Sequence, residues 1–278
     1  MLFDLQSGKR RKVIQITFGT LAAIFAISFV FFGVGSGGIG GIGDLLGGGG
    51  GGGGDASSAF DEDIEAAEAR LAVNPNDTVA LSELVTLHFQ AGRQAVDDDG
   101  TLSSDGEQEL RLGADAWVRY VKASKTNIDA GIATIAFQTF DALGATSFEE
   151  ARTSTTVSEA LRAVNAAIAD WEEAAETNRI LVDRQPTSAN YTRLAYYLYL
   201  SGQTQAGDQA ADQARTAKGA NPADVNAQTE QAKALGTQLQ EAVKQLTKQQ
   251  QATGGGATGG GENPLGGVGL GGSGSSGQ

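Results

Sequence analysis

From residue 58 to residue 250, apolar residues recur every three or four positions with few β-branched alternations, which is the period of amphipathic helices rather than strands. Ser58 and Asp61 stand at capping spacing, and Ile64, Ala67 and Leu71 continue one face until Asn74-Pro75 ends it. A second helix is predicted over 78–91, with Leu81, Leu84, Val85 and His88 inward and Gly92 as terminator. Ser104 and Glu107 form a capping pair ahead of a helix over 105–124 that carries Leu110, Ala114, Trp117 and Val121. The next runs over 127–143 through Ile132, Ile135, Phe140 and Leu143 and ends at Gly144. Between Thr155 and Arg184 the residues Val157, Leu161, Val164, Ile168, Trp171, Ala175, Asn178 and Val182 make a stripe of two positions in seven. It reads as core, with a coiled-coil seam between two copies as the alternative. After Pro186, helices are predicted over 188–201, 203–218 and 223–250, the last with Val225, Ala232, Leu235, Leu239, Ala242 and Leu246 on one side and a Gln-, Lys- and Glu-rich face opposite. The fold class is all-α, with about seven or eight helices in the 58–250 domain.

The two ends break this pattern. Residues 13–35 are 23 consecutive uncharged, mostly apolar positions, about 34 Å as a helix, which predicts a transmembrane span. Lys9, Arg10, Arg11 and Lys12 abut its start, and no further Lys or Arg occurs before Arg70. By the positive-inside rule, the basic head 1–12 is cytoplasmic and everything beyond residue 35 extracytoplasmic. A cleaved signal peptide competes with this reading, but its apolar stretch is typically 7–15 residues with a small-residue cleavage site. Residues 36–57 contain an eight-glycine run and read as a flexible linker with a span of about 26 Å. Residues 251–278 are Gly/Ser-rich, with Leu265, Val268 and Leu270 isolated among them, and are expected to be disordered.

Composition narrows the chemistry. The chain of 278 residues has no cysteine and one histidine, so disulfides, thiolate metal sites, Cys nucleophiles and multi-histidine centres are excluded. A net charge of −13 argues against a nucleic-acid surface. Gly33, Gly35 and Gly38 satisfy G-x-G-x-x-G, but a glycine tract follows where the helix of a dinucleotide site should begin. In the acidic loop from Asp97 to Glu107, setting Gly100 at the sixth position of a calcium loop puts Ala95 first and Gly106 twelfth, so that pattern fails. His88 reads as a packed, hydrogen-bonded core residue. Glu149/Glu150 and Glu172/Glu173 are adjacent on helices and read as solvated faces. No enzyme activity, cofactor or metal is expected.

Three segments share a face at i, i+4, i+8: Leu84/His88/Gly92, Ala136/Phe140/Gly144 and Leu194/Leu198/Gly202. The third begins at Tyr191, continues Leu194-Ala195, and is followed by Ala210, Ala214, Ala217 and Pro222. This resembles the tetratricopeptide repeat. The glycines lie 52 and 58 residues apart rather than about 34, so the units carry insertions at about 93–106 and 150–170. With its basic head, single anchor and glycine linker, the chain is similar to membrane-anchored tetratricopeptide-type proteins of actinobacteria. The resemblance implies a concave groove lined by the first helix of each pair, with Val79, Ser82, Thr86 and Phe89, then Thr134, Gln138 and Asp141, then Thr192, Tyr196 and Tyr199 facing it. None of these is Lys or Arg, so the basic clamp of chaperone-binding relatives is missing. Tyr196, Tyr197 and Tyr199 could instead pack between units. The expected function is a membrane-tethered, non-enzymatic scaffold for a protein or peptide partner on the extracytoplasmic side. The alternative is a structural spacer that self-assembles into a homo-oligomer through 157–182 or 223–250.

Overall fold

Eight α-helices follow one another along the chain in a computed structural model that describes residues 60–97, 101–252 and 263–268. They belong to one compact unit, Gly53–Val268; a second unit, Met1–Gly52 with Gly269–Gln278, lies outside the described residues, as does the membrane span expected at 13–35. Among the described residues no helix is long and apolar enough to cross a membrane.

Helix α1 (Asp61–Val73) has Phe60 at its N-cap with no side-chain cap; Asp61, Glu62 and Asp63 in the first turn complement the positive end of the helix instead. Ser58 lies outside the described residues. Asn74, extended at φ −133 because Pro75 follows, ends the helix as expected. Asp77 caps α2 (Thr78–Gln94) by accepting from the Val79 and Ala80 amides, each at 3.0 Å. It also holds Arg70 of α1 at 3.1 Å, while Arg70 reaches Glu83 at 2.7 Å, so one guanidinium ties the first two helices together. The α3 helix (Ser104–Ser124) starts one residue before its predicted position. Its cap is Ser103, not Ser104: the Ser103 hydroxyl accepts from Gly106 N–H and donates to the Ala95 carbonyl at 2.8 Å.

Two expected helix ends are overturned. Gly92 does not stop α2, which runs on to Gln94, and Gly144 lies inside α4 (Ala130–Thr153), a helix predicted to end there. Both glycines are points of close approach. A methyl on Gly92 would lie 2.8 Å from the Leu110 side chain and 2.9 Å from the Gly106 carbonyl; one on Gly144 would lie 2.4 Å from Trp171 Nε1. The segment 150–170, expected as an insertion, is the end of α4 and the first half of α5 (Val157–Arg184). Thr156 and Glu159 cap α5 reciprocally: the hydroxyl accepts from Glu159 N–H at 3.2 Å and donates to its carboxylate at 2.8 Å.

After Pro186 come α6 (Ser188–Leu200), α7 (Thr204–Thr216) and α8 (Pro222–Ala252). Gly202 does terminate α6. Its φ is +81, its N–H donates to Tyr199 O at 3.0 Å and Gln203 N–H donates to Leu198 O at 2.8 Å, the paired bonds of a left-handed helix stop. Helices α2/α3, α4/α5 and α6/α7 pack as three successive pairs, α1 lies on α2, and α8 packs on α6, α7 and α5. The 157–182 stripe is core: Val164, Trp171, Ala175, Asn178 and Val182 are buried, and a second line of Ala160, Ala163, Ala167, Ala174 and Leu181 widens the buried face beyond a two-in-seven seam. His88 is buried and pairs through Nδ1 with Glu109 at 2.8 Å.

The tail differs from expectation at residues 263–268. These form a short 3₁₀ turn, Pro264–Gly267, packed on α4 and α8, with Leu265 0% exposed and Val268 buried.

One buried carboxylate links three helices. Asp170 of α5, with 12% of its side chain exposed, faces Arg111 of α3 at 3.5 Å, and that guanidinium in turn reaches Ser147 of α4. Its Oδ2 has no hydrogen-bond partner. Burial raises its pKa from 3.8 to about 6 against the pull of Arg111. The folded value lies above the unfolded one, so folding is penalised where Asp170 is ionised, and the penalty fades as pH falls from about 6 towards 4. Asp170→Asn is expected to stabilise the protein at pH 8 by about 1–2 kcal/mol, discounted for the water that still reaches the group. Urea titrations should show the two proteins converging near pH 4; a difference that does not depend on pH would refute the assignment.

Candidate functional site

Two of the ten expected groove residues, Asp141 and Tyr196, meet where α4 and α6 face one another, and two others turn away. Phe137 and Asp141 are one helical turn apart on α4; Arg193 and Tyr197 stand at the same spacing on α6, with Tyr196 beside them. The Tyr197 hydroxyl donates to Asp141 Oδ1 at 2.7 Å, and its ring meets Phe137 edge to face at 5.2 Å. Tyr196 packs edge-on against Tyr197 at 5.1 Å. The Arg193 guanidinium lies over the Phe137 ring, 5.1 Å from its centre. Of the expected set, Gln138 is exposed and Asp141 and Tyr196 are half-buried at this junction.

Burial governs the electrostatics. It pushes the Asp141 carboxyl above its ordinary range, while the Tyr197 hydroxyl and the Arg193 charge pull it back. It lowers the Arg193 pKa, pushes the Tyr196 phenol up to about 12, and raises the Tyr197 phenol well above its ordinary range. Both tyrosines are therefore neutral donors at any physiological pH. Asp141 and Tyr197 satisfy each other. Arg193 differs: among the described residues no oxygen accepts a hydrogen bond from its guanidinium, so its planar fork of donors is held over Phe137 without an acceptor.

The expected register on α6 is off by one position. Thr192 is buried and its hydroxyl donates back to Ser188 O at 2.8 Å. Tyr199 is 3% exposed, wedged against Gly207 and Gly236, with its hydroxyl on Asp208 at 2.8 Å. Neither lines a groove, because α6 must present that side to both α7 and α8. The same rotation brings Arg193 to the α4 side. Reading 192, 196 and 199 as one face passed over Arg193, and the signal that could have found it was its position four residues before Tyr197. The Tyr197 and Tyr199 side chains do pack between helices, the alternative left open by the sequence.

On α2 the expected set is less engaged. Val79 is 56% exposed; Ser82, Thr86 and Phe89 are half-buried, the two hydroxyls donate to carbonyls of their own helix, and Arg93 lies 5.8 Å from the Phe89 ring centre. On α4, Thr134 likewise donates to Ala130 O. Helix α2 packs on α4, but no hydrogen bond or ring contact joins these α2 side chains to Thr134, Gln138 or Asp141 among the described residues. No group of three or more His, Asp or Glu side chains among the described residues could hold a metal ion; part of the acidic loop, 98–100, lies outside them. No protein-family model matches this chain, and neither a curated protein nor a solved structure matches it.

Proposed function

We propose that this protein is a non-enzymatic helical scaffold, tethered to a membrane by residues 13–35, that binds a protein segment on the extracytoplasmic side across the α4–α6 junction. The observation that carries the reading is Arg193, a guanidinium aligned on Phe137 with its donors unclaimed and the amphipathic ring of Tyr196 adjacent. Arginine and tyrosine are, with tryptophan, the side chains enriched among interface anchors, because they offer large, rigid contact area together with directional hydrogen bonding. The arrangement suits a segment that places a carboxylate or backbone carbonyl on Arg193 and an apolar side chain on Tyr196. Of the three glycines on which the tetratricopeptide-like reading rests, Gly202 ends its helix, whereas Gly92 and Gly144 lie inside theirs. Self-association through 157–182 is the weaker reading, because most of that stripe is covered by the chain's own helices.

Capture experiments with the full chain test this. Arg193→Ala and Tyr196→Ala are each expected to weaken a recovered partner at least tenfold, about 1.4 kcal/mol, with helix content unchanged. Unchanged binding after both substitutions would move the site elsewhere. In the same cells, external protease should digest the domain of the full-length protein, and neutralising Lys9, Arg10, Arg11 and Lys12 should scramble its orientation. Protection of the domain in cells with opened outer layers would place it on the cytoplasmic side.

A further inference from the structure

The docked segment of the tail has the features of a ligand in a site. Asn263 uses both ends of its side-chain amide: Nδ2 donates to Ala151 O at 2.8 Å and Arg152 O at 3.2 Å, while Oδ1 accepts from Leu265 N–H at 3.0 Å. The two carbonyls belong to the last turn of α4, where a helix has no acceptor-satisfying partners of its own. Pro264 pre-sets the turn, Val268 N–H closes it on Leu265 O at 3.0 Å, the turn packs on α4 and α8, and the Leu265 and Val268 side chains are buried. One directional anchor and two apolar ones within six residues is the economy of a short linear motif. The connection from α8, residues 253–262, contains six glycines among ten positions and no residue larger than Glu262. Such a tether keeps its end at an effective concentration on the order of millimolar, so even a weak site stays filled.

We propose that the cleft between the C-terminal end of α4 and α8 is a binding site for a short linear segment, and that Asn263-Pro264-Leu265-Gly266-Gly267-Val268 is its ligand. The segment is recognised by its own chemistry rather than by its attachment, so it binds the same cleft when supplied as a separate molecule. The site uses neither Arg193 nor Tyr196, so it stands or falls apart from the function proposed above.

The probe is a labelled peptide of residues 260–271, and the proteins are the full chain and its Leu265→Asp variant, whose own tail cannot fill the cleft. Fluorescence anisotropy should show saturable binding to the variant at least tenfold tighter than to the wild type, where the tethered copy competes. The Asn263→Asp peptide should bind at least tenfold more weakly, because a carboxylate has no proton to donate and meets the negative end of α4. If Leu265→Asp alters the circular-dichroism spectrum, a chain ending at Ala252 replaces it and is judged by the same results. No saturation at millimolar peptide, equal binding by wild type and variant, or indifference to Asn263→Asp would each overturn the proposal.

Discussion

Trp171→Ala is expected to lower the unfolding free energy by about 3–5 kcal/mol, the usual cost of removing a large buried aromatic and leaving its cavity. Trp171 is 1% exposed at the centre of α5, its ring 5.7 Å from that of Phe148 and its indole edge pressed on the bare backbone of Gly144. At a urea dependence of about 2 kcal/mol per molar, the midpoint should fall by about 1.5–2.5 M. The second tryptophan, Trp117, remains as a fluorescence probe. A coupled result separates this geometry from loss of apolar area alone. Gly144→Ala should destabilise the wild type, because its methyl would sit 2.4 Å from Trp171 Nε1, yet be tolerated in Trp171→Ala, where the space is vacant. Additive losses would show that the two residues do not share a contact.

Gly236→Ala should reverse the sign of an ordinary helix substitution. At an exposed helical site, glycine to alanine stabilises by about 0.8–1 kcal/mol. At 236 the new methyl would lie 2.2 Å from the Tyr199 carbonyl oxygen and 2.7 Å from its carbon, so α8 or α6 must move. The carbonyl cannot swing aside, because it accepts from Gly202 N–H in the turn that ends α6. Nor can the Tyr199 ring, which lies on Gly207 and is tied to Asp208. A net loss of about 2–3 kcal/mol is expected, with faster hydrogen exchange across α8 while α2 to α5 stay protected. A gain in stability would show that α8 does not lie this close to α6.

Much of the architecture was legible because its causes are local. Pro75, Pro186 and Pro222 punctuate the chain wherever they fall, while the caps themselves, Asp77, Ser103, Thr156 and Thr187, act on amides two or three residues away and only Ser103 was approached, by a reading one residue off. The 157–182 stripe announced a core helix because apolar residues at that period can only be buried along one side. Of the residues the sequence assigned to a groove, Asp141 and Tyr196 lie at the α4–α6 junction, whereas Thr192 and Tyr199 are buried between helices.

What the sequence determined by itself is where helices form and which positions are apolar, since both follow from interactions within a turn or two. What only the tertiary structure decided is how each helix is rotated and what it meets. Gly92, Gly144 and Gly202 occupy the same place in one spacing pattern, yet Gly202 ends a helix and the other two receive Leu110 and Trp171 from a neighbouring one. Arg193 faces α4 because α6 must fit α7 and α8 on its other sides. Tyr197 finds Asp141 across 56 residues, and Asn263 finds Ala151 across 112. Partners so far apart in the chain leave no mark on local periodicity, because they are chosen by the shape of the surfaces that meet when helices pack.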